Sequence, residues 1–184
     1  MKNSHLISLA TALFAACLTF NTHAAASTGQ VDFGSFTAPG KGGEFVEINL
    51  QSNLLGLAAQ LVGQAEPDAA KILSSVEAVR VNVVGLTAEN REELTKRVQK
   101  IRGDLGTQSW EQIVNVQGKK GEDVGIFTKT RGNEALAGIV ITVMDAEHVV
   151  LVNVVGDIKP SQIAALGESL KIRQLKEAGE AVKK

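Results

Sequence analysis

The five-residue stretch Val-Asn-Val-Val-Gly occurs twice in this chain, at residues 81–85 and 152–156. Both copies lie in strand-like, valine-rich runs, and by alternation Asn82 and Asn153 lie on the face opposite Val81 and Val152. Related stretches, Ile-Asn-Leu at 48–50 and Val-Asn-Val at 114–116, lie in similar runs. Asparagine is depleted in strands, so its repeated use there requires an explanation. The alternation predicts a fold built mainly from half-buried strands.

The remaining pattern predicts four helices among about six strands. The helices are predicted at 53–64 with Ser52 as N-cap, at 67–76 with Pro67 in the first turn, at 87–105 with Thr87 as N-cap, and from Pro160 onward. The strands are predicted at 44–50, 78–86, 110–117, 122–130, 135–144 and 149–156. This order predicts an α+β fold, with a largely antiparallel sheet (a mixed sheet being the alternative) and helices packed on one face.

The helix predicted at 87–105 has the clearest pattern. Its apolar stripe consists of Leu94, Val98, Ile101 and Leu105. Opposite charges four residues apart, Glu92 with Lys96 and Glu93 with Arg97, support the exposed side. We therefore expect a surface helix with one face on the sheet.

Residues 1–26 have the pattern of a secretory signal peptide. Lys2 precedes an apolar run of 15 residues, and small residues favour cleavage after Ala24 or Ala26. Cys17 raises lipidation as an alternative, but a lipidation site usually has Leu three positions earlier, where this chain has Phe. We therefore expect export to the periplasm or cell envelope as a soluble protein, with membrane attachment only if Cys17 is lipidated.

The other predicted divisions are a flexible lead-in at 27–43, a single α+β domain at 44–175 and a charged tail at 176–184. The whole chain has 19 Lys and Arg residues and 20 Asp and Glu residues, so loss of Lys2 with the signal leaves a net charge of about −2. Such a balance argues against a nucleic-acid partner. Removal of Cys17, the single cysteine, would also exclude disulfides.

The side chains that usually carry catalysis or bind metals are scarce. After cleavage His148 is the single histidine, and with Asp145 and Glu147 it lies in a predicted hairpin loop. A solvated turn explains these residues better than a cation site, and no second histidine or cysteine completes a zinc site. A Gly-x-Ser-x-Gly elbow is missing, and the phosphate-loop-like stretch at 34–43 leads into a strand rather than a helix. We therefore expect no catalytic residue, metal or cofactor.

The asparagines define a candidate interaction face. If the helices cover the face that carries Val79, Val81 and Val83, the opposite face is the wet side of an ordinary sheet. The same face also fits contact with a partner, because it mixes amides with apolar side chains. The candidate residues on it are Asn49, Arg80, Asn82, Asn115 and Asn153.

Several segments together resemble a known family. They are VDFGSF, GGEFVEINL, VRVNVVGL, WEQIVNVQ, GEDVGIFTKTRG and VVLVNVVGDI, followed by the predicted C-terminal helix. In this order they resemble the bacterial envelope family called domain of unknown function 4252, over about residues 31–175. The resemblance implies an exported protein, a lipoprotein in some members, with no established activity.

We therefore expect a non-enzymatic envelope protein that binds a protein partner, or another copy of itself, through the asparagine-bearing face or an exposed strand edge. One alternative is a carrier that holds an apolar ligand in a pocket between sheet and helices. The weaker alternative is a hydrolase using carboxylates alone, which needs two acids such as Glu47, Glu111 or Asp123 across a cleft.

Overall fold

The structure is a computed structural model that describes residues 28–40, 43–118, 121–159 and 162. These residues form a six-stranded antiparallel sheet and three α-helices. The strands are β1 Phe45–Gln51, β2 Val76–Gly85, β3 Glu111–Gln117, β4 Asp123–Arg131, β5 Ala135–Met144 and β6 His148–Ile158, and the helices are α1 Ser52–Val62, α2 Pro67–Ser75 and α3 Arg91–Thr107. The predicted α+β class is confirmed. The predicted signal peptide, the charged tail and, apart from Gln162, the fourth helix lie outside the described residues.

The strand order across the sheet is β1-β2-β6-β5-β4-β3. Strands β3 to β6 form a meander, and β2 pairs with β6 to bring in β1 at the far edge. The two copies of the repeated stretch are therefore on neighbouring interior strands, β2 and β6. They run antiparallel, with Val81 opposite Val152, Asn82 opposite Leu151 and Arg80 opposite Asn153.

Helices pack on both faces of the sheet, so the expectation that they share one face is wrong. Leu55 of α1 and Leu73 of α2 pack on the face that carries Val79. Leu94 of α3 packs on the opposite face, with Leu151. The reason is that the central strands bury both faces. Strands of this kind carry apolar residues in nearly continuous runs, as in the segments ALAGIVITVM and HVVLVNVV, and both faces then need cover.

Residues 28–40, here called the N-terminal strap, lie on the same face as α3. Residues 30–39 form neither helix nor strand. Phe33 of the strap is buried in the cluster that contains Val98, Ile101 and Leu151. The strap and α3 together cover the asparagine-bearing face.

The helix boundaries follow the predictions closely at α2 and less closely elsewhere. Pro67 begins α2, as its fixed φ favours. Ser52 is the first residue of α1 rather than its N-cap, which is Gln51, and no side chain caps this helix. The prediction for Ser52 is therefore wrong.

Helix α3 begins later than predicted, with Asn90 rather than Thr87 as its N-cap. Thr87 still stabilises the turn before the helix. Its backbone N–H donates to Asn90 Oδ1 at 2.7 Å, and Asn90 N–H donates to Thr87 Oγ1 at 3.3 Å. The predicted apolar stripe is confirmed, because Leu94, Val98, Ile101 and Leu105 are all buried.

Candidate functional site

The predicted asparagine face is not an exposed surface. Asn82 and Asn153 are only 1% and 2% exposed, and Arg80 is half-buried. Asn49 and Asn115 are exposed, but they lie on β1 and β3, at opposite edges of the sheet. The structure therefore does not bring the five candidates together, and the expected contact face is corrected: the strap and α3 already occupy its centre.

Asn153 anchors the strap to the sheet. Its Oδ1 accepts a hydrogen bond from the backbone N–H of Val31 at 2.9 Å. Its Nδ2 donates to the carbonyl oxygens of Gly29 at 3.0 Å and Ile139 at 3.2 Å. The strap also approaches β5 closely, since a side chain at Gly29 would overlap the main chain at Ala137. Asn153 thus supplies the backbone of the strap, which is not a strand, with hydrogen bonds that a neighbouring strand would otherwise supply.

Helix α3 holds the middle of the strap. Arg97 donates from Nε and one terminal nitrogen to the carbonyl oxygen of Phe33, at 3.2 and 2.8 Å. Its guanidinium also lies over the ring of Phe36, 3.9 Å from the ring centroid, a cation–π arrangement. Arg97 therefore binds the strap rather than its expected partner Glu93, whereas Glu92 and Lys96 pair as expected at 2.6 Å.

Asn82 contrasts with Asn153. Neither side-chain nitrogen nor oxygen of Asn82 has a hydrogen-bond partner among the described residues, although the side chain is buried. The neighbouring Arg80 makes longer contacts to Asp32 at 3.5 Å and Glu47 at 3.7 Å. An unpaired buried amide costs free energy, so we expect Asn82 to lower the stability of the fold and Asn153 to raise it.

The expected carboxylate pairs do not form a cleft. Glu47 lies on β1 and Glu111 on β3, and five strand spacings of about 4.8 Å put these edges roughly 24 Å apart. Asp123 is held by Arg102 of α3, with both carboxylate oxygens 2.8 Å from Nη1. Arg102 also donates to Thr142. Asp123 therefore serves as a structural ion pair between α3 and the sheet.

The loop around His148 has the geometry of a turn. Asp145 Oδ1 accepts the backbone N–H groups of Glu147 and His148, both at 2.7 Å, which closes the loop. His148 Nε2 lies 3.2 Å from Glu44 Oε2. In the part of the chain that the structure describes, no group of three or more His, Cys, Asp or Glu side chains is arranged to hold a metal ion.

An open groove of about 650 Å³ lies beside this loop, where β1 begins and β2 ends. Glu44, Glu89, Glu147 and His148 contribute to its wall. A hydrogen bond from the Thr87 hydroxyl, followed by one from the backbone, holds the pKa of Glu89 below its ordinary value. This groove opens at the end of the sheet and not between sheet and helices, where the carrier alternative needs a pocket. The space under α3 is filled by side chains such as Val140 and Leu151.

Five of the exposed large apolar side chains lie on β1 and on the helix that directly follows it. Exposure is 37% at Val46 and 40% at Ile48, and reaches 57% at Leu57 and 84% at Leu61. We call this set, completed by Leu54, the β1–α1 surface: Val46, Ile48, Leu54, Leu57 and Leu61. Helix α1 buries Leu55 and Ala59 on its inner side, so the three leucines form a second apolar stripe.

Sequence reasoning missed the β1–α1 surface, although a signal for it is present. Eight of the residues in the α1 segment SNLLGLAAQLV are Leu, Ala, Val or Gly, so the helix is apolar nearly all round. A helix of that kind requires cover on more than one side. On the opposite edge strand, Ile113 and Val116 of β3 are also exposed.

Comparison with known proteins adds a family and no activity. Among the described residues, no helix has the length and apolar character needed to cross a membrane. A search of curated proteins and a search of solved structures each found no match to the chain. The family described as Domain of unknown function (DUF4252) matches residues 41–166, more than half of the chain. The match includes every strand and helix described above, and the chain belongs to this family.

Proposed function

We propose that this protein is a non-enzymatic interaction module of the cell envelope, which binds a protein partner through the β1–α1 surface. The observation that supports this proposal is the exposed stripe Leu54, Leu57 and Leu61 on α1. Isolated exposed apolar residues are ordinary, but several on one helix and the adjoining strand are typical of a contact surface. The asparagine-bearing face supports this role less well, because the strap and α3 cover its centre.

The non-enzymatic part of the proposal is supported by the structural interactions that several ionisable side chains already make. Asp123 and Arg102 bind each other, Arg97 binds the strap, and Asp145 closes its own turn. Each of these interactions stabilises the fold. None presents a nucleophile beside a base, the arrangement that covalent catalysis needs.

Export is supported by the pattern of residues 1–26, which lie outside the described residues. The intact mass of the protein taken from an envelope fraction tests it. We expect a mass that corresponds to cleavage after Ala24 or Ala26. A mass that retains residues 1–26 would contradict export through this signal, and a diacylglyceryl group on Cys17 would replace soluble export by membrane anchoring.

Site-specific photo-crosslinking in the native host tests the binding surface. A photoreactive residue at Leu57 or Leu61 should give a specific protein adduct, which mass spectrometry then identifies. Gln99, an exposed residue of α3 on the opposite side of the sheet, provides the matched control. Adducts from Gln99 that equal those from Leu57, or no adduct from Leu57 and Leu61, would contradict the proposal.

A further inference from the structure

The two edge strands of the sheet differ in regularity. All seven residues of β1, from Phe45 to Gln51, pair with β2 without a register shift. Strand β3 has a register shift between Gln112 and Val114. Bulges are one way in which proteins protect an edge strand from pairing with another chain. The outer edge of β1 has no such bulge and no strand partner among the described residues, so it is the better template for an added strand.

The sequence of β1 is complementary to itself in an antiparallel pair. With Ile48 opposite Ile48 of a second copy, Val46 lies opposite Leu50, Glu47 opposite Asn49 and Phe45 opposite Gln51. Val46, Ile48 and Leu50, the apolar residues of β1 on the face that carries α1, then each meet an apolar residue, because residues directly opposite share a face. Glu47 meets an amide that can donate a hydrogen bond. In this register all seven residues of β1 have a residue of the second copy opposite them.

Neighbouring registers are less favourable. A pair centred on Glu47 puts two carboxylates directly opposite each other, which is destabilising. A pair centred on Asn49 leaves Phe45 unpaired and moves Val46 opposite Ser52, the first residue of α1. In a register whose twofold axis lies between two residues, the two copies present opposite faces of their sheets on the same side. Apolar residues of one β1 then lie opposite polar residues of the other. The register centred on Ile48 is therefore the most favourable, because it avoids opposed carboxylates and keeps apolar residues opposite apolar residues.

The same alignment explains why one end of β1 is exposed. Leu50 packs in the core cluster that contains Leu55 of α1, whereas Val46 and Ile48 remain exposed. A twofold axis at Ile48 places Val46 of each copy beside Leu50 of the other, where the partner's α1 begins. The exposed start of each β1 then lies near the exposed leucine stripe of the neighbouring α1. The net charge, −1 for the whole chain and about −2 without residues 1–26, gives little repulsion between two copies.

We propose that the protein forms a twofold dimer in which β1 pairs antiparallel with β1 of a second copy at Ile48, joining the two sheets. This inference rests on the proposed function, of which it names the partner. A twofold contact is closed, because each copy uses its β1 edge for the other. The bulged β3 edges then form the two ends of the joined sheet.

Sedimentation velocity of the purified protein tests the dimer with a matched pair of substitutions. Ile48→Lys places two ammonium groups opposite each other at the axis, and like charges across an interface are strongly unfavourable. Ile113→Lys on β3 makes the same change at a site of similar exposure, 43% against 40%. We expect dimers for the wild type and Ile113→Lys, and at least ~100-fold weaker association for Ile48→Lys. Thermal unfolding confirms that both variants are folded.

Cysteine crosslinking tests the register. In a Cys17→Ser background, Ile48→Cys should form a disulfide dimer on oxidation, whereas Ile113→Cys should not. Mixed Glu47→Cys and Asn49→Cys proteins should crosslink to each other more efficiently than either does alone. Equal crosslinking at positions 48 and 113, or preferential Glu47→Cys homodimers, would overturn this pairing.

The outcomes separate the dimer from the interaction function itself. A wild-type protein that sediments as a monomer, or an Ile48→Lys variant that remains dimeric, overturns the dimer. If Leu57 then crosslinks to a different protein in cells, the interaction function stands with another partner. A monomer that also gives no adduct at Leu57 or Leu61 overturns both proposals.

Discussion

The two copies of Val-Asn-Val-Val-Gly have the same local structure and different surroundings. Both are strand segments on the neighbouring interior strands β2 and β6, and both asparagines are buried on the same face. Asn153 makes three hydrogen bonds, two of them to the strap. Asn82 makes none among the described residues. The same five residues thus give a side chain that binds the strap on β6 and an unpaired buried amide on β2.

The glycines that end the two copies differ in the same way. A Cβ at Gly156 would overlap the Ser75 carbonyl oxygen, where α2 meets β2. A Cβ at Gly85 would lie 3.0 Å from the backbone nitrogen of Glu44, which is tight but less severe. The second copy is therefore the more constrained of the two. Its constraints come from segments distant in the chain, not from its own residues.

The largest expected effect is at Asn153. Asn153→Val should lower the free energy of unfolding by about 3 kcal/mol, because the strap and Ile139 lose hydrogen-bond partners in a buried site. Urea unfolding measures this change, and limited proteolysis within residues 28–40 shows whether the strap detaches. The matched control is Asn82→Val, on the same face of the neighbouring strand. Equal losses at both positions would contradict the distinction between the two asparagines.

The glycines should give the next largest difference. Gly156→Ala should cost about 2 kcal/mol, since the main chain at Ser75 and Val76 must move to admit a methyl group. Gly85→Ala should cost about 1 kcal/mol, because its contact to Glu44 needs a smaller shift. Thermal and urea unfolding of the two variants provide the comparison. A larger loss at Gly85 would show that the junction of α2 and β2 adapts more readily than its packing indicates.

Asn82 should give a smaller change of opposite sign. Asn82→Val should raise the free energy of unfolding by about 1 kcal/mol, because it removes two buried polar atoms without partners and places a strand-favouring residue between valines. The urea midpoint should increase with an unchanged slope. A loss of stability at this position would mean that the amide of Asn82 is satisfied in solution.

The smallest effect concerns the turn that follows the first copy. The hydrogen bond from Thr87 lowers the pKa of Glu89 in the folded state. The resulting stabilisation is present above the ordinary pKa of glutamate and is lost as the pH falls through the lowered pKa. Thr87→Val should move the pKa of Glu89 toward its ordinary value, as measured by NMR titration of the carboxyl carbon. An unchanged pKa would assign the shift to the backbone hydrogen bond instead.

Much of the local structure could be predicted from the sequence. The stripe of α3, the first residue of α2 and the six strands follow from periodicity and from proline chemistry, which act over a few residues. The face of the sheet on which each helix packs could not be predicted in the same way. Alternation at Val79, Val81 and Val83 identifies one buried face, but it does not show that the other face is buried as well.

The candidate site was predicted less well than the fold, for a related reason. Asn49 and Asn115 are exposed as expected, but at opposite edges, because the strand order separates β1 from β3. Strand order depends on pairings between distant segments, and a single sequence does not display them. The exposed leucines of α1 were recognisable as an apolar helix, but only the packing of Leu55 and Ala59 shows which of its sides remains uncovered.

The sequence by itself determined the class of fold, the approximate ranges of the six strands and of α1 to α3 along the chain, and the membership of the chain in its family. Only the tertiary structure decided what the repeated asparagines do. The strap residues that bind Asn153 lie 122 and 124 positions away in the chain, whereas Asn82 on the neighbouring strand has no partner among the described residues. Whether a buried polar side chain has hydrogen-bond partners depends on its neighbours in space, and the packing of the whole sheet determines those neighbours.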